Sequence, residues 1–111
     1  MKRGELLARR LAAIRDRVAR GEYIVSFTHT EKLRERKIGA EDFEAAIRNG
    51  VVVEDYSHDP RGGPSCLILG RSGNRPLHVV CGGVEAEQIL IITVYEPDPA
   101  EWEPDWRTRR K

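Results

Sequence analysis

No stretch of this sequence stays apolar for the roughly 18 residues that a bilayer-spanning helix needs. Its first residues, MKRGELLARRLAAIRDRVARG, are broken by charge every few positions, so a signal peptide's apolar stretch is also missing. Cytoplasm is the location these absences lead one to expect. Cysteine is scarce: Cys66 and Cys81 alone, each in an apolar strand-like run, the pattern of buried, reduced thiols rather than of a disulfide scaffold. Histidine is scarce as well. His58, Cys66, His78 and Cys81 show neither CxxC-like nor HxxxH spacing, so no metal is expected. A Walker loop, a GxGxxG fingerprint and a Ser-His-Asp pattern are all missing, which leaves no cofactor to expect and reads Gly62-Gly63 and Gly82-Gly83 as turns.

What is present is a chain of 111 residues, 40% hydrophobic and 33% charged, the composition of a soluble globular domain. The net charge of +1 conceals blocks. Residues 1–37 hold 11 basic and 5 acidic side chains, residues 38–106 hold 4 and 13, and Arg107 to Lys111 add four cations. Such separation suggests a basic face able to meet phosphates, with Arg9, Arg10 and Arg17 as its contacts, although solvated helix faces are the commoner cause of charge runs.

Leu7, Leu11, Ile14 and Val18 recur as one stripe and predict a first helix from about Glu5 to Arg20, ended by Gly21. Tyr23 to Phe27 is a short β-rich run. Thr28 and Glu31 then read as a capping box opening a second helix over about His29 to Lys37. A third helix over about Ala40 to Asn49 buries Phe43, Ala46 and Ile47 and stops at Gly50. Period-two segments follow: Val51–Tyr56, Ser65–Gly70, Leu77–Cys81 and Gln88–Tyr95, with a loop over Pro60–Pro64 and a turn at Ser72-Gly73-Asn74. Short turns between strands imply an antiparallel meander. The expected architecture is one α+β domain over 1–111: a basic helix (1–21), a core (22–96) whose helices pack on a mainly antiparallel sheet of four to five strands, and an irregular, basic-ended tail (97–111) whose tryptophans fold back onto the body.

Few residues carry chemistry. His29 falls in the first turn of a helix, where free N–H groups and the macrodipole disfavour imidazolium. A neutral imidazole there suits a general base, and a helix start also suits a phosphate. Lys32 and Arg36 lie on the same helical face. A surface histidine on a charged helix is the plainer reading of the same spacing. Strand parity sets Thr93 and Tyr95 on the side of Ile89 and Ile91, opposite Val94, and sets His78 opposite Leu77, Val79 and Cys81. If the last two strands pair in simple register, His78, Thr93 and Tyr95 converge on one face, as a site or as ordinary scaffold.

Residues 23–102 resemble a bacterial family catalogued as domain of unknown function 4258. The resemblance rests on GAEDFEAAIRNGVVVEDY, on Asn74-Arg75-Pro76-Leu77-His78-Val79-Val80, and on TVYEPDP. That family looks related to the RelE-like toxins, which include the MqsR and BrnT groups. The resemblance implies a RelE-like fold and a type II toxin–antitoxin toxin, a metal-independent endoribonuclease that cleaves mRNA, commonly on the ribosome. It implies His29, Arg36, His78 and Tyr95 as catalytic residues and Thr93 as an RNA contact, while the basic N-terminal block, outside the resemblance in its first helix, offers Arg9, Arg10, Arg17 and Lys32 as further RNA contacts. RNA and a cognate antitoxin are the implied partners, and the first helix offers a surface for a homodimer. The alternative is a non-catalytic protein- or nucleic-acid-binding module of the same fold, and the convergence of His29, His78 and Arg36 on one open cleft separates the two. The sequence departs from the family where the helix after His29 is about one residue short and where Lys37 replaces a usual glycine.

Overall fold

A computed structural model describes residues 3–56, 64–83 and 87–111, apart from the side chains of Arg3 and Phe27. Helix α1 (Arg3–Ala19) is followed by strand β1 (Tyr23–Val25), a 3-10 turn (Phe27–His29), α2 (Thr30–Glu35) and α3 (Ala40–Asn49). Strands β2 (Val51–Tyr56), β3 (Ser65–Ser72), β4 (Arg75–Gly82) and β5 (Ile89–Tyr95) complete the order. The fold is α+β, helices first and then a five-stranded open sheet, ordered β1-β5-β4-β3-β2. The meander from β2 to β5 is antiparallel, while β1 runs parallel to β5 along its outer edge.

The helix face of the sheet holds the larger core. Leu11, Ile14 and Val18 of α1 and Phe43, Ala46 and Ile47 of α3 pack on Ile68, Leu77, Val79, Ile89, Ile91 and Val94. Gly21 sits at φ 75 as the left-handed stop after α1. Gly70 lets α3 lie flat on the sheet, since a Cβ there would come within 1.8 Å of the Ala46 carbonyl oxygen. The other face is covered by the tail: Trp102 packs with Leu67 and Val80, and Trp106, Tyr56 and Ile92 lie around them.

Two local expectations are corrected. Thr28 and Glu31 form no capping box, because the chain enters α2 through a 3-10 turn in which His29 holds the cap position without a side-chain bond. The Thr28 hydroxyl instead lies 3.2 Å from that of Ser26. Asp42 of α3 does reach back, accepting the Gly39 N–H at 2.8 Å. Strand parity fails in β5. Val80 pairs with Thr93 and Cys81 with Ile91, so Ile92 is one residue too many and makes a bulge. The bulge shifts Val94 onto the helix face with Ile89 and Ile91 and turns Thr93 and Tyr95 away from them, Tyr95 opposite His78 and Thr93 with its hydroxyl 3.3 Å from His29 Nε2.

Candidate functional site

His29 is buried, only 3% exposed, where a surface position was expected. The cause lies in the sheet. β1 pairs with β5 only as far as Ile91, and the Ser26 N–H adds one more bond, to the Ile91 carbonyl. Beyond that, among the described residues, the outer edge of β5 has no strand beside it. Two side chains take over: the Val94 N–H donates to His29 Nε2 at 2.8 Å, and Arg36 Nη1 donates to the Val94 carbonyl at 2.7 Å. His29 and Arg36 therefore complete the edge of the sheet as a short strand would. Burial, followed by the Arg36 charge, holds the imidazole below its ordinary pKa. An Nε2 that accepts an amide proton places the ring's own proton on Nδ1.

His78 is fully buried on the opposite face, beneath the tail. Its Nε2 lies 2.7 Å from the Trp106 carbonyl, which can only accept, so Nε2 bears the proton. Nδ1 then accepts from the Tyr95 hydroxyl, 3.3 Å away. The Trp102 ring stands edge-on at 4.5 Å between centroids. Burial lowers this pKa as well. Beside it Glu54 binds Arg109 at 2.7 and 3.0 Å and accepts from Tyr56, whose own pKa rises to about 12 through burial and then Glu54. The Arg109 guanidinium lies 4.5 Å over the Trp102 ring. Glu54 and Tyr56, two apart on β2, were readable by parity as a same-face pair. Arg109, in an irregular tail, gave no signal.

The predicted residues thus divide between two depressions. One, about 520 Å³, has a floor of Val80, Leu90 and Ile92 and walls of Ser26, Thr28, His29, Lys32 and Thr93. Among the described residues its lining contains no carboxylate. The other, about 470 Å³, is lined by Arg36, Arg75 and Tyr95 together with Glu96, Asp98 and Glu101. His78 lines neither. Arg75 is committed there, paired with Glu96 and donating to the carbonyls of Lys37 (2.8 Å) and Arg36 (2.7 Å).

The basic residues of α1 are largely turned inward. Arg10 binds Asp55 at 2.9 Å with both side chains 12% exposed. Arg17 reaches the Gly83 carbonyl at 3.4 Å and Glu22 at 3.8 Å. Arg15 donates to the carbonyls of Ile47 (3.0 Å) and Gly50. Arg9 is exposed. Cys66 and Cys81 are free, buried and opposite each other on β3 and β4. His58 lies outside the described residues, and among the described residues no three His, Cys, Asp or Glu side chains gather as metal ligands. Among the described residues no helix is long and apolar enough to cross a membrane.

Residues 29–96 match the family described as Domain of unknown function (DUF4258). The chain belongs to this family. The matched span opens at His29 and closes just after Tyr95, so it holds both histidine arrangements of this DUF4258 chain and omits α1 and the tail that covers His78. No curated protein and no solved structure matches the chain.

Proposed function

We propose that this chain is a binding module for single-stranded RNA, and that the carboxylate-free depression beside α2 is where the strand lies. The observation that carries this reading is the lining itself. Among the described residues, no Asp or Glu lines a depression walled by a lysine, three hydroxyls and the His29 ring. Lys32 and the hydroxyls suit a phosphate, and the aliphatic floor of Val80, Leu90 and Ile92 suits the flat side of a base. A volume of about 520 Å³ falls in the ordinary range of small-ligand sites. As an RNA-binding chain it would work in the cytoplasm, where a cognate antitoxin or a ribosomal surface is its natural partner.

The competing reading is a RelE-like type II toxin, a metal-independent endoribonuclease. That chemistry needs a base to take the 2′-hydroxyl proton and an acid for the leaving oxygen. Neither histidine offers a free lone pair, since His29 Nε2 holds the Val94 N–H and His78 Nδ1 holds the Tyr95 hydroxyl. Nor do His29, His78 and Arg36 share a cleft. The tautomers therefore favour binding over cleavage.

The experiment is a titration of a labelled single-stranded RNA at several salt concentrations, with RNA ends sampled in the presence of chelator. Lys32→Ala should weaken binding and lower the slope of log affinity against log salt by about 0.7. Intact RNA is the expected product. An RNA affinity indifferent to Lys32 would remove the depression as the site, and chelator-resistant cleavage lost on His78→Ala would restore the nuclease.

A further inference from the structure

The tail ends in a loop closed on itself. Within residues 101–110 the Glu103 N–H bonds Thr108 O at 2.8 Å, the Trp106 N–H bonds Glu103 O at 2.8 Å, and the Arg110 N–H bonds Glu101 O at 2.9 Å. Asp105 adds bonds to the N–H groups of Arg107 and Thr108 and to the Thr108 hydroxyl. A bridge between Trp102 and Arg109 closes the base. The loop is thus bonded within itself as well as to the sheet beneath it.

Its attachments to that sheet are few. Trp102, 1% exposed, is the apolar anchor. Among the described residues the Trp106 ring packs against the Leu67, Val80 and Trp102 cluster, and two polar groups reach the sheet: the Trp106 carbonyl on His78 Nε2, and Arg109, paired with Glu54 and bonded to Tyr56 at the surface. Trp106 also sits at φ 59, in the left-handed region that a bulky side chain resists. The carbonyl that occupies His78 is thus held by a residue under backbone strain, at the half-exposed end of an internally bonded loop.

We propose that residues 103–110 are a displaceable cover hinged at Trp102, and that lifting it exposes His78 Nε2 beside the Arg36–Arg75–Tyr95 depression. Tyr95 makes the connection: its hydroxyl is bonded to His78 Nδ1, and the same side chain lines the 470 Å³ depression with Arg36. In the closed form both imidazole nitrogens are spoken for. In the open form Trp102 still stands against the ring, Nε2 faces solvent, and the histidine adjoins a depression of mixed charge that holds Arg36, Arg75 and Tyr95 with Glu96, Asp98 and Glu101. In that arrangement His78 can exchange a proton with a ligand. The inference shares Val80 and Ile92 with the depression beside Lys32, but its readouts, His78 modification and tryptophan emission, are taken without RNA and so test it separately from RNA binding.

The chain reports on its own cover, because Trp102 and Trp106 are its two tryptophans. The test compares the full-length protein with Arg109→Ala, which removes the surface ion pair, and with Trp106→Gly, which relieves the strain but deletes the ring and so controls for packing. Two readouts are taken: tryptophan emission, and the rate at which diethyl pyrocarbonate modifies each histidine, followed by mass spectrometry. Arg109→Ala should speed modification of His78 about fivefold, the population change expected for one exposed ion pair, with a small red shift in emission. His29, held at the far edge of β5, should react at the wild-type rate in every variant. Unchanged His78 reactivity in both variants would show a fixed tail and overturn the proposal. So would a parallel rise at His29 and His78, which would mean that the tail comes away only when the domain unfolds.

Discussion

Replacing His29 by alanine tests whether the imidazole belongs to the sheet. The side chain is 3% exposed and accepts the Val94 N–H at 2.8 Å. Its removal leaves a buried backbone donor without a partner, at a cost of about 1–3 kcal/mol. The lost ring leaves a void whose cost adds to this, and the sum comes to about 3 kcal/mol. In a domain of this size that lowers Tm by roughly 10–20 °C. His29→Gln is the informative control. A glutamine carbonyl can occupy the Nε2 position and accept the same proton, so about half the loss should return. Thermal and urea unfolding at pH 7.5 measure the cost, and amide exchange at Val94 locates it. A Tm within 3 °C of wild type, with the Val94 amide still protected in His29→Ala, would refute the edge role and return His29 to the pool of functional groups.

Both buried histidines have pKa values below the ordinary 6.5 in the folded state, so the native protein binds fewer protons than the unfolded chain as pH falls. Stability should be full above about pH 6.5 and decline progressively below it, and His29→Gln should flatten that decline in an unfolding series from pH 7.5 to 5. Gly70→Ala should cost about 3 kcal/mol or more, because the added Cβ meets the Ala46 carbonyl at 1.8 Å and α3 must lift; soluble yield and urea midpoint would show it, and a near-wild-type midpoint would contradict the packing. Lys37 sits at φ 57, in the left-handed region that a side chain disfavours, so Lys37→Gly should stabilise by about 1 kcal/mol, read as a higher Tm. Arg10→Ala should lower stability more than Arg9→Ala does, since only Arg10 is committed to a half-buried pair with Asp55.

Much of the fold was readable in the sequence because the signals were local and agreed with one another. The stripe in α1, the apolar face of α3, Gly21 and Gly50 at helix ends, and the period-two runs each reflect one element's own burial. The return of the tryptophans onto the sheet was also readable, since two large rings in an irregular tail must be covered. What failed depended on neighbours distant in sequence. Thr28-x-x-Glu31 has the spacing of a capping box, but the chain reaches α2 through a 3-10 turn, placing His29 where the cap would be. Nothing near His29 announces that the edge of β5, more than sixty positions away, runs past the end of β1.

The site shows the same division more sharply. Alternation along β5 put Tyr95 with Ile89 and Ile91, while the convergence of Tyr95 with His78 was expected from simple register. Only a bulge reconciles these, and Ile92 carries no mark that distinguishes it from its neighbours. One extra residue moves Val94 into the helix-facing core and brings the Tyr95 hydroxyl to His78. It also settles which groups remain for a ligand. With Val94 turned inward, its N–H and carbonyl claim His29 and Arg36, and with Tyr95 turned outward, its hydroxyl claims His78 Nδ1. Residue types suited to acid–base chemistry are therefore present, but the sheet and the tail occupy their reactive nitrogens first. Lys32, which reaches neither the edge of β5 nor the tail, is left as the cation of the carboxylate-free depression, and there the binding reading takes its footing.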